Sequence, residues 1–388
     1  MRSPGKQQAV EIECHSLEVV GSVTETYPMQ KKGHSLSFLR EQAHFRSRGN
    51  LFGAVLRIRN TVFRSVNEYF WQAGFLHLTA PTITSSQCEG GSVPFSLSPL
   101  SFFNQPAYLS VSAQLHAEIF ARSHTNVFTL GPTYRADPSD SPRHVAEFWM
   151  CEPEMAFRKM EDGMEVAEDL VKHVLTDVLR SHEEELAFLQ QWQEPSLLDR
   201  IHRALGHEIG RSDENGEGKN DVKQQQGRWH RMTLEESAQL LGLNPTTTKD
   251  LSIAEEKELC DKVQGPIFLT HFPSESSPFY MKTKDRKHQS CSEGNGNVSL
   301  SFDLLMPSIG EVIGGSERED DPEILLSNMR QTGLNPSEYE WYVALRQQGT
   351  VPSVGFGLGM DRLVMFVTGM TSIRDVIPIP RAMGSLHY

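Results

Sequence analysis

The sequence predicts an α+β domain built around an antiparallel β-sheet with helices on its flanks. Three observations carry this. Strand-like segments come in hairpin pairs, "VFTLGPTYR" with "VAEFWMCEPEMAF" and the two halves of "SLSFDLLMPSIGEVIGGSERE", instead of in strict βαβ alternation. Two stretches carry helical periodicity, Val55, Ile58, Val62, Val66 and Phe70 in one, Val166, Leu170, Val174 and Val178 in the other. The chain has 388 residues, too many for one ordinary core, so it holds two domains or one large one.

The elements follow in order. Residues 8–22, "QAVEIECHSLEVVGS", alternate like a strand but are too few for a domain of their own. From Gly53 to Phe75 the spacing predicts an amphipathic helix, and "LHLTAPTIT" a strand containing Pro81. A strand proline belongs at an edge or a bulge, so Pro81 marks a sheet edge or a dimer contact. One long helix is expected from Glu161 to about Trp192. Residues 205–230 and 282–299 are polar and read as flexible surface insertions. The second contains Asn297-Val-Ser, a glycosylation tripeptide that carries little weight without a secretory signal. "GTVPSVGFGLGMDRLVMFVTGM" reads as a strand running into a helix.

Composition narrows the class. With 38% hydrophobic and 22% charged residues the chain reads as soluble and globular, and no apolar run is long enough for a bilayer. The first residues lack the apolar core of a secretory signal and make no convincing transit peptide. Five scattered cysteines without a C-x-x-C pair point to a reducing compartment and away from structural zinc. A net charge of −13 argues against non-specific nucleic-acid binding, though not against one local basic face.

Four segments carry chemistry. "GFGLGMDRL" has G-x-G-x-G spacing too near the chain's end for a dinucleotide fold, and no P-loop occurs. What remains is a tight strand-to-helix entry with Arg362 on its first turn, either a surface arginine or one held rigidly beside a pocket. In "FDLLMPSIGEVIGGSERE", Asp303 and Glu311 lie on consecutive strands. Their hard oxygens suit Mg²⁺ bound jointly with phosphates, while Gly314 and Gly315 admit a ligand and Arg318 offers a planar fork. The bland alternative is a glycine bulge with solvated charges. The loop "TYRADPSDSPRHVAEF" sets Arg135, Arg143 and His144 as phosphate donors and Phe148 as a flat face for a base, or forms a solvated hairpin. Glu89 sits in a small-residue loop, and Ser112 and Gln114, two apart, read as sharing one strand face.

In this order the segments resemble the class II aminoacyl-tRNA synthetases of the aspartate/asparagine/lysine group, most nearly the asparaginyl branch. "GFLHLTAPTIT" is similar to the dimer-forming first motif with Pro81 at its proline, "TYRADPSDSPRHVAEFWMCEPEMAF" to the second, and "GFGLGMDRLVMFVTGMTSIRDVIPIPR" to the third. "TSSQCEGG", "SVSAQLH" and "GEVIGGSERE" match accessory elements, and the resemblance spans roughly residues 15–388. It implies an antiparallel sheet of six to seven strands in a homodimer. It also implies a two-step reaction, in which asparagine and ATP give asparaginyl-adenylate and pyrophosphate, and the acyl group then moves to tRNA(Asn).

Carried over by position, the resemblance gives Arg135 the α-phosphate and the substrate carboxylate, and gives Arg143 and His144 the terminal phosphates. Phe148 and Arg362 would sandwich adenine, with Asp137, Gly359 and Asp361 completing the nucleotide site. Asp303 and Glu311 would hold Mg²⁺. Glu89 and Gln114 would take the substrate ammonium, with Ser112 nearby. Arg318 would donate to the side-chain carbonyl and Glu152 accept from the side-chain NH₂. Arg135, Glu311 and Arg362 are the expected catalytic set. Glu152 favours asparagine, because an aspartate carboxylate there would meet a like charge.

Two departures from the family stand out. Asp137-Pro138 replaces the usual glutamate of the second motif. In place of an anticodon-reading OB barrel of five strands, residues 1–30 read as its last strand and linker, with residues 31–388 as the catalytic domain. The second departure leaves two other functions open: a paralogue making free asparagine from aspartate, ATP and ammonia, or an inactive binding subunit. The bacterial-type pattern with polar insertions suggests a mitochondrial enzyme, with the cytoplasm as the alternative.

Overall fold

The computed structural model describes residues 10–86, 92–99, 102–206, 227–285 and 297–386. The chain divides into two compact units, residues 1–46 and 47–388. The first contains two short helices, α1 (Leu36–Glu41) and α2 (Ala43–Arg46), with Ser35 capping α1 through its hydroxyl. The strand expected over residues 8–22 is not formed among its described residues beyond a bridge at Val10. Ile12, Leu17 and Val20 are exposed, so alternation without a partner surface to cover it did not make a strand.

The second unit begins with α3 (Asn50–Gln72), then β1 (Leu76–Leu78), β2 (Ile83–Thr84), β3 (Tyr108–Leu109), α4 (Gln114–His124), β4 (Asn126–Tyr134) and β5 (Glu147–Ala156). Next come α5 (Met160–Ser181), α6 (Glu183–Trp192), α7 (Leu197–Ala204), β6 (His230–Thr233), α8 (Leu234–Leu241), α9 (Ile253–Val263) and β7 (Ile267–Thr270). The chain continues through β8 (Thr283–Asp285), β9 (Asn297–Ser299), β10 (Ser301–Met306), β11 (Gly310–Glu317), α10 (Pro322–Gln331), α11 (Glu340–Gln347), β12 (Ser353–Gly359) and α12 (Met360–Thr368).

Eight strands form one sheet in the order β1-β4-β5-β12-β11-β10-β7-β6. The five interior pairings are antiparallel, as expected. Both edge pairings, β1 with β4 and β6 with β7, are parallel, which the sequence did not suggest. One sheet face packs on α3, α5 and α12. Val55, Ile58, Val62, Val66 and Phe70 of α3 are fully buried there, each contributing about 1.5–3 kcal/mol relative to exposure. Phe70 stacks on Phe128 of β4 at 4.6 Å. Gly163 lets α5 approach closely, since a Cβ there would lie 2.8 Å from Val354.

Four local expectations are corrected. Pro81 lies between β1 and β2, outside either strand and exposed. The long helix breaks at His182 (φ −135°), after which Glu183, Glu184 and Glu185 suit the first turn of a new helix. The insertion at 205–230 ends early, because Trp229 is buried and donates to the Ala204 carbonyl at 2.7 Å. The ends of the 282–299 segment pair as β8 and β9. No described helix is long and apolar enough to cross a membrane. Cys14, Cys151 and Cys260 are free thiols, while Cys88 and Cys291 lie outside the described residues.

Candidate active site

The other sheet face carries the site. Alternation along β5 puts Phe148, Met150, Glu152 and Glu154 on this face. Next to them, β12 contributes Gly355, Gly357 and Gly359, so the G-x-G-x-G run is a strand face stripped of side chains. The neighbouring strand fills the room they leave. A Cβ on Gly355 would collide with the Glu154 carboxylate, and one on Gly357 with the Met150 methyl.

Two cavities open on this face. One, of about 560 Å³, is lined by Arg135, Asp137, Arg143, His144, Phe148 and Arg362. The other, of about 630 Å³, is lined by Ser112, Gln114, Glu152, Glu154, Tyr280 and Arg318. Arg135, Met150, Glu311 and Gly357 line both, so a cation and an anion stand where the cavities meet.

In the first cavity, the Arg135 guanidinium lies 5.5 Å from the centre of the Phe148 ring. Arg362 donates through Nη1 to the Glu311 carbonyl and to its Oε2, both at 2.9 Å. Arg143 donates through Nη1 to Glu256 Oε2 at 2.8 Å, and its Nη2 lies 3.8 Å from Glu311 Oε2. Burial, reinforced by Arg362 and Arg143, holds His144 below the ordinary imidazole range. Its Nδ1 is within 3.1 Å of the Ser139 hydroxyl and also meets that of Ser141. Asp137 Oδ1 accepts from the Val93 backbone at 2.9 Å, and Ala136 N donates to the Val93 carbonyl at 2.7 Å. Gly359 N-caps α12 at the cavity floor.

Asp303 of β10 pairs with Gly314 of β11. The register then shifts by one between Leu304 and Leu305, leaving Val312 without a partner and pairing Glu311 with Leu305. Strict alternation would turn Glu311 to the face opposite Gly314. The bulge brings it round beside Asp303. A Cβ on Gly314 would lie 3.3 Å from both Asp303 Oδ1 and Glu311 Oε1, so the glycine leaves open the space that the two carboxylates flank. Burial and the adjacent Glu311 charge push the Asp303 carboxyl well above its ordinary range. Burial opposes ionisation of Glu311 too, but Arg362 and Arg143 outweigh it and leave that carboxyl below its ordinary range. These two hard-oxygen donors fit Mg²⁺ completed by phosphate and water. No larger cluster of metal-ligating side chains occurs among the described residues.

In the second cavity, Arg318 is buried and held by Glu154. Nε donates to Oε2 at 3.1 Å, Nη2 donates to Oε1, and Nη1 donates to the Ser316 hydroxyl at 2.9 Å. Burial would disfavour the guanidinium, but Glu154 and Glu118 raise its pKa further. Glu152 accepts from the Ser112 hydroxyl and, at 2.9 Å, from the Ala113 backbone. Ser112 and Gln114 do not share a strand. Ser112 precedes α4, accepting from Gln114 N at 3.1 Å, and Gln114 is the helix's first residue. The Gln114 amide donates to Glu118 at 3.2 Å, and Glu118 also accepts from Tyr342 at 2.7 Å and Arg346 at 2.6 Å.

The structure thus brings together the expected set with three exceptions. Glu89 lies outside the described residues. Pro81 stands apart from both cavities. Asp361 borders the first cavity, but Oδ1 accepts from Arg59 and Oδ2 from the Trp149 backbone at 2.9 Å, so its carboxylate ties α12 to α3 and β5. The sequence reading missed Glu154, Glu118 and Glu256. Only Glu154 left a signal, standing two residues beyond Glu152 on the same strand face.

Residues 36–383 match the family model of class II tRNA synthetases (D, K and N). The chain is 40% identical to the asparagine–tRNA ligase of Desulfotalea psychrophila over 388 aligned residues, covering 98% of this chain and 82% of that one. It is 39% identical to the probable mitochondrial asparagine–tRNA ligase of Dictyostelium discoideum, covering 97% and 79%. Among solved structures, the asparaginyl-tRNA synthetase of Pyrococcus horikoshii complexed with asparaginyl-adenylate superposes with a TM-score of 0.81 at 29% identity, covering 96% and 79%. With its sheet, its paired cavities and this family match over nearly its whole length, the chain belongs to the class II tRNA synthetases of the aspartate, lysine and asparagine group.

Proposed function

We propose that the chain is an asparagine–tRNA ligase, joining asparagine to tRNA(Asn) at the expense of ATP. The observation that carries this is the meeting of two cavities at Arg135 and Glu311. One cavity has the donors and aromatic face for a nucleotide. The other has a buried Arg318 and Glu152 for an amide side chain.

In the first step an asparagine carboxylate oxygen attacks the ATP α-phosphorus, and the bond to the β-phosphate oxygen breaks, releasing pyrophosphate. The nucleophile belongs to the substrate, so the protein's work is positioning and charge stabilisation. Arg135, at the junction, holds the carboxylate against the α-phosphate. Arg143 and His144 face the terminal phosphates, and Phe148 and Arg362 enclose the base. Asp303 and Glu311 would hold Mg²⁺, which neutralises phosphate charge when bound. In the second step a hydroxyl of the terminal adenosine of tRNA attacks the acyl carbonyl, and AMP leaves with its electron pair.

Selection rests on Arg318 and Glu152. Arg318 donates to the amide oxygen and Glu152 accepts from the amide NH₂, so aspartate would set its carboxylate against Glu152. The reading includes a homodimer through the face around Pro81, where Leu76 and Ile83 are exposed. It also includes a mitochondrial location, supported by the likeness to the Dictyostelium protein. Sedimentation of the purified chain and imaging of a tagged full-length chain test these two parts. Charging of tRNA with labelled asparagine tests the activity.

A further inference from the structure

Glu256 belongs to none of the segments that carry the resemblance. It sits on α9, whose start is capped by Ser252 and Glu255, and its side chain is only 13% exposed. One of its oxygens, Oε2, accepts two hydrogen bonds, from Arg143 Nη1 at 2.8 Å and from the Glu311 backbone N–H at 3.1 Å. Arg143 comes from the loop between β4 and β5, and Glu311 from β11. Both residues line the nucleotide cavity, where Arg143 Nη2 also donates to the Glu311 carbonyl at 3.4 Å. Gly310 admits the carboxylate. It has a φ of +83°, and a Cβ there would collide with Glu256.

We infer that Glu256 is a positioning residue for adenylation, locking Arg143 and Glu311 into the one arrangement in which both meet the same phosphates. The inference rests on the nucleotide site proposed above. Arg143 has two carboxylates within reach, Glu256 at 2.8 Å and Glu311 at 3.8 Å. Its Nε has no hydrogen-bond partner among the described residues. With Glu256 neutralised, the guanidinium has one anion left to approach, Glu311. That places it on the carboxylate expected to face the cation and withdraws it from the phosphates. The effect should therefore fall on ATP and on Mg²⁺, which act in the first cavity, and spare asparagine, which enters the second.

The test is asparagine-dependent ATP–pyrophosphate exchange by the full chain and by its Glu256→Gln and Glu256→Asp variants. Glutamine keeps the size and an acceptor oxygen but loses the charge. The KM for ATP should rise roughly tenfold in Glu256→Gln, as expected for a hydrogen bond to a charged group. The Mg²⁺ concentration for half-maximal rate should rise with it, the KM for asparagine should stay unchanged, and Glu256→Asp should recover part of the loss. An unchanged ATP KM and Mg²⁺ requirement overturns the inference. So does an equal rise in both substrate KM values, which would mark general loosening. Should Glu256→Gln not fold, the thermal shift that Mg·ATP induces in Glu256→Asp decides, and a shift equal to that of the unaltered chain overturns it. Absence of exchange in the unaltered chain would count against the proposed function instead, and Mg·ATP thermal shifts would still test Glu256.

Discussion

Arg318 and Glu154 form a two-point ion pair lining the second cavity, with Nε donating to Oε2 at 3.1 Å and Nη2 to Oε1. Both side chains are buried, and Glu154 lies over Gly355, where any Cβ would collide with it. The arginine expected to read the substrate amide is thus held rigid before substrate arrives. Removing Glu154 leaves the buried Arg318 with only Glu118, 3.9 Å away and already paired with Arg346, as a counter-charge. Glu154→Ala should cost about 3–5 kcal/mol of stability and raise the asparagine KM more than the ATP KM. Denaturant unfolding and exchange kinetics check this, and an unchanged unfolding midpoint would show that the pair does not hold the cavity lining.

The cation pair gives a pH prediction. The Asp303 carboxyl is raised by burial and by Glu311, so any proton it carries must leave when a cation binds. Binding of Mg·ATP should therefore release protons, and its affinity should rise as pH rises. Calorimetry in buffers of different ionisation enthalpy measures the release. Asp303→Asn should abolish it, and chelation of Mg²⁺ should stop exchange in the unaltered chain. Proton uptake on binding would reverse the sign and refute the assignment.

Asp137 stands where relatives are expected to carry glutamate, and the structure gives it a different partner, the Val93 backbone at 2.9 Å. This bond holds residues 92–97 against the cavity that Phe95 lines. Asp137→Ala should raise the ATP KM about fivefold, the worth of one hydrogen bond. Asp137→Asn keeps the acceptor oxygen and should leave the KM unchanged. If Asn behaved like Ala, charge and not this bond would be what matters.

On the proposed reading, discrimination against aspartate rests on Glu152. Glu152→Gln removes the like charge that an aspartate carboxylate would meet, and should narrow the asparagine/aspartate ratio of kcat/KM by at least about tenfold. A ratio equal to that of the unaltered chain would move selection elsewhere in the cavity.

What was legible in the sequence follows the range of the forces involved. Strand alternation is local, so the hairpin pair β4–β5 and the strand-to-helix entry at β12 could be read directly, and with them Phe148 and Arg362, whereas Glu152 came only from the family resemblance. Glu256 and Glu118 could not. An acid on a helix is ordinary, and their arginine partners, Arg143 and Arg346, are 113 and 228 residues away. Ser112 and Gln114 were misread because two-residue spacing fits a strand face, although a serine hydroxyl accepting from a backbone N–H is equally a helix-start signal. The bulge at Val312 left no mark in composition, yet it decides that Glu311 faces Asp303.

The central claim, that the joined cavities activate asparagine for tRNA, is tested most directly by amino-acid-dependent ATP–pyrophosphate exchange. Asparagine, aspartate, and aspartate with ammonia are supplied in turn, followed by charging of tRNA. The account predicts exchange with asparagine, little with aspartate, and labelled asparagine on tRNA. Turnover with aspartate and ammonia to free asparagine, or no exchange with any of the three, would contradict it.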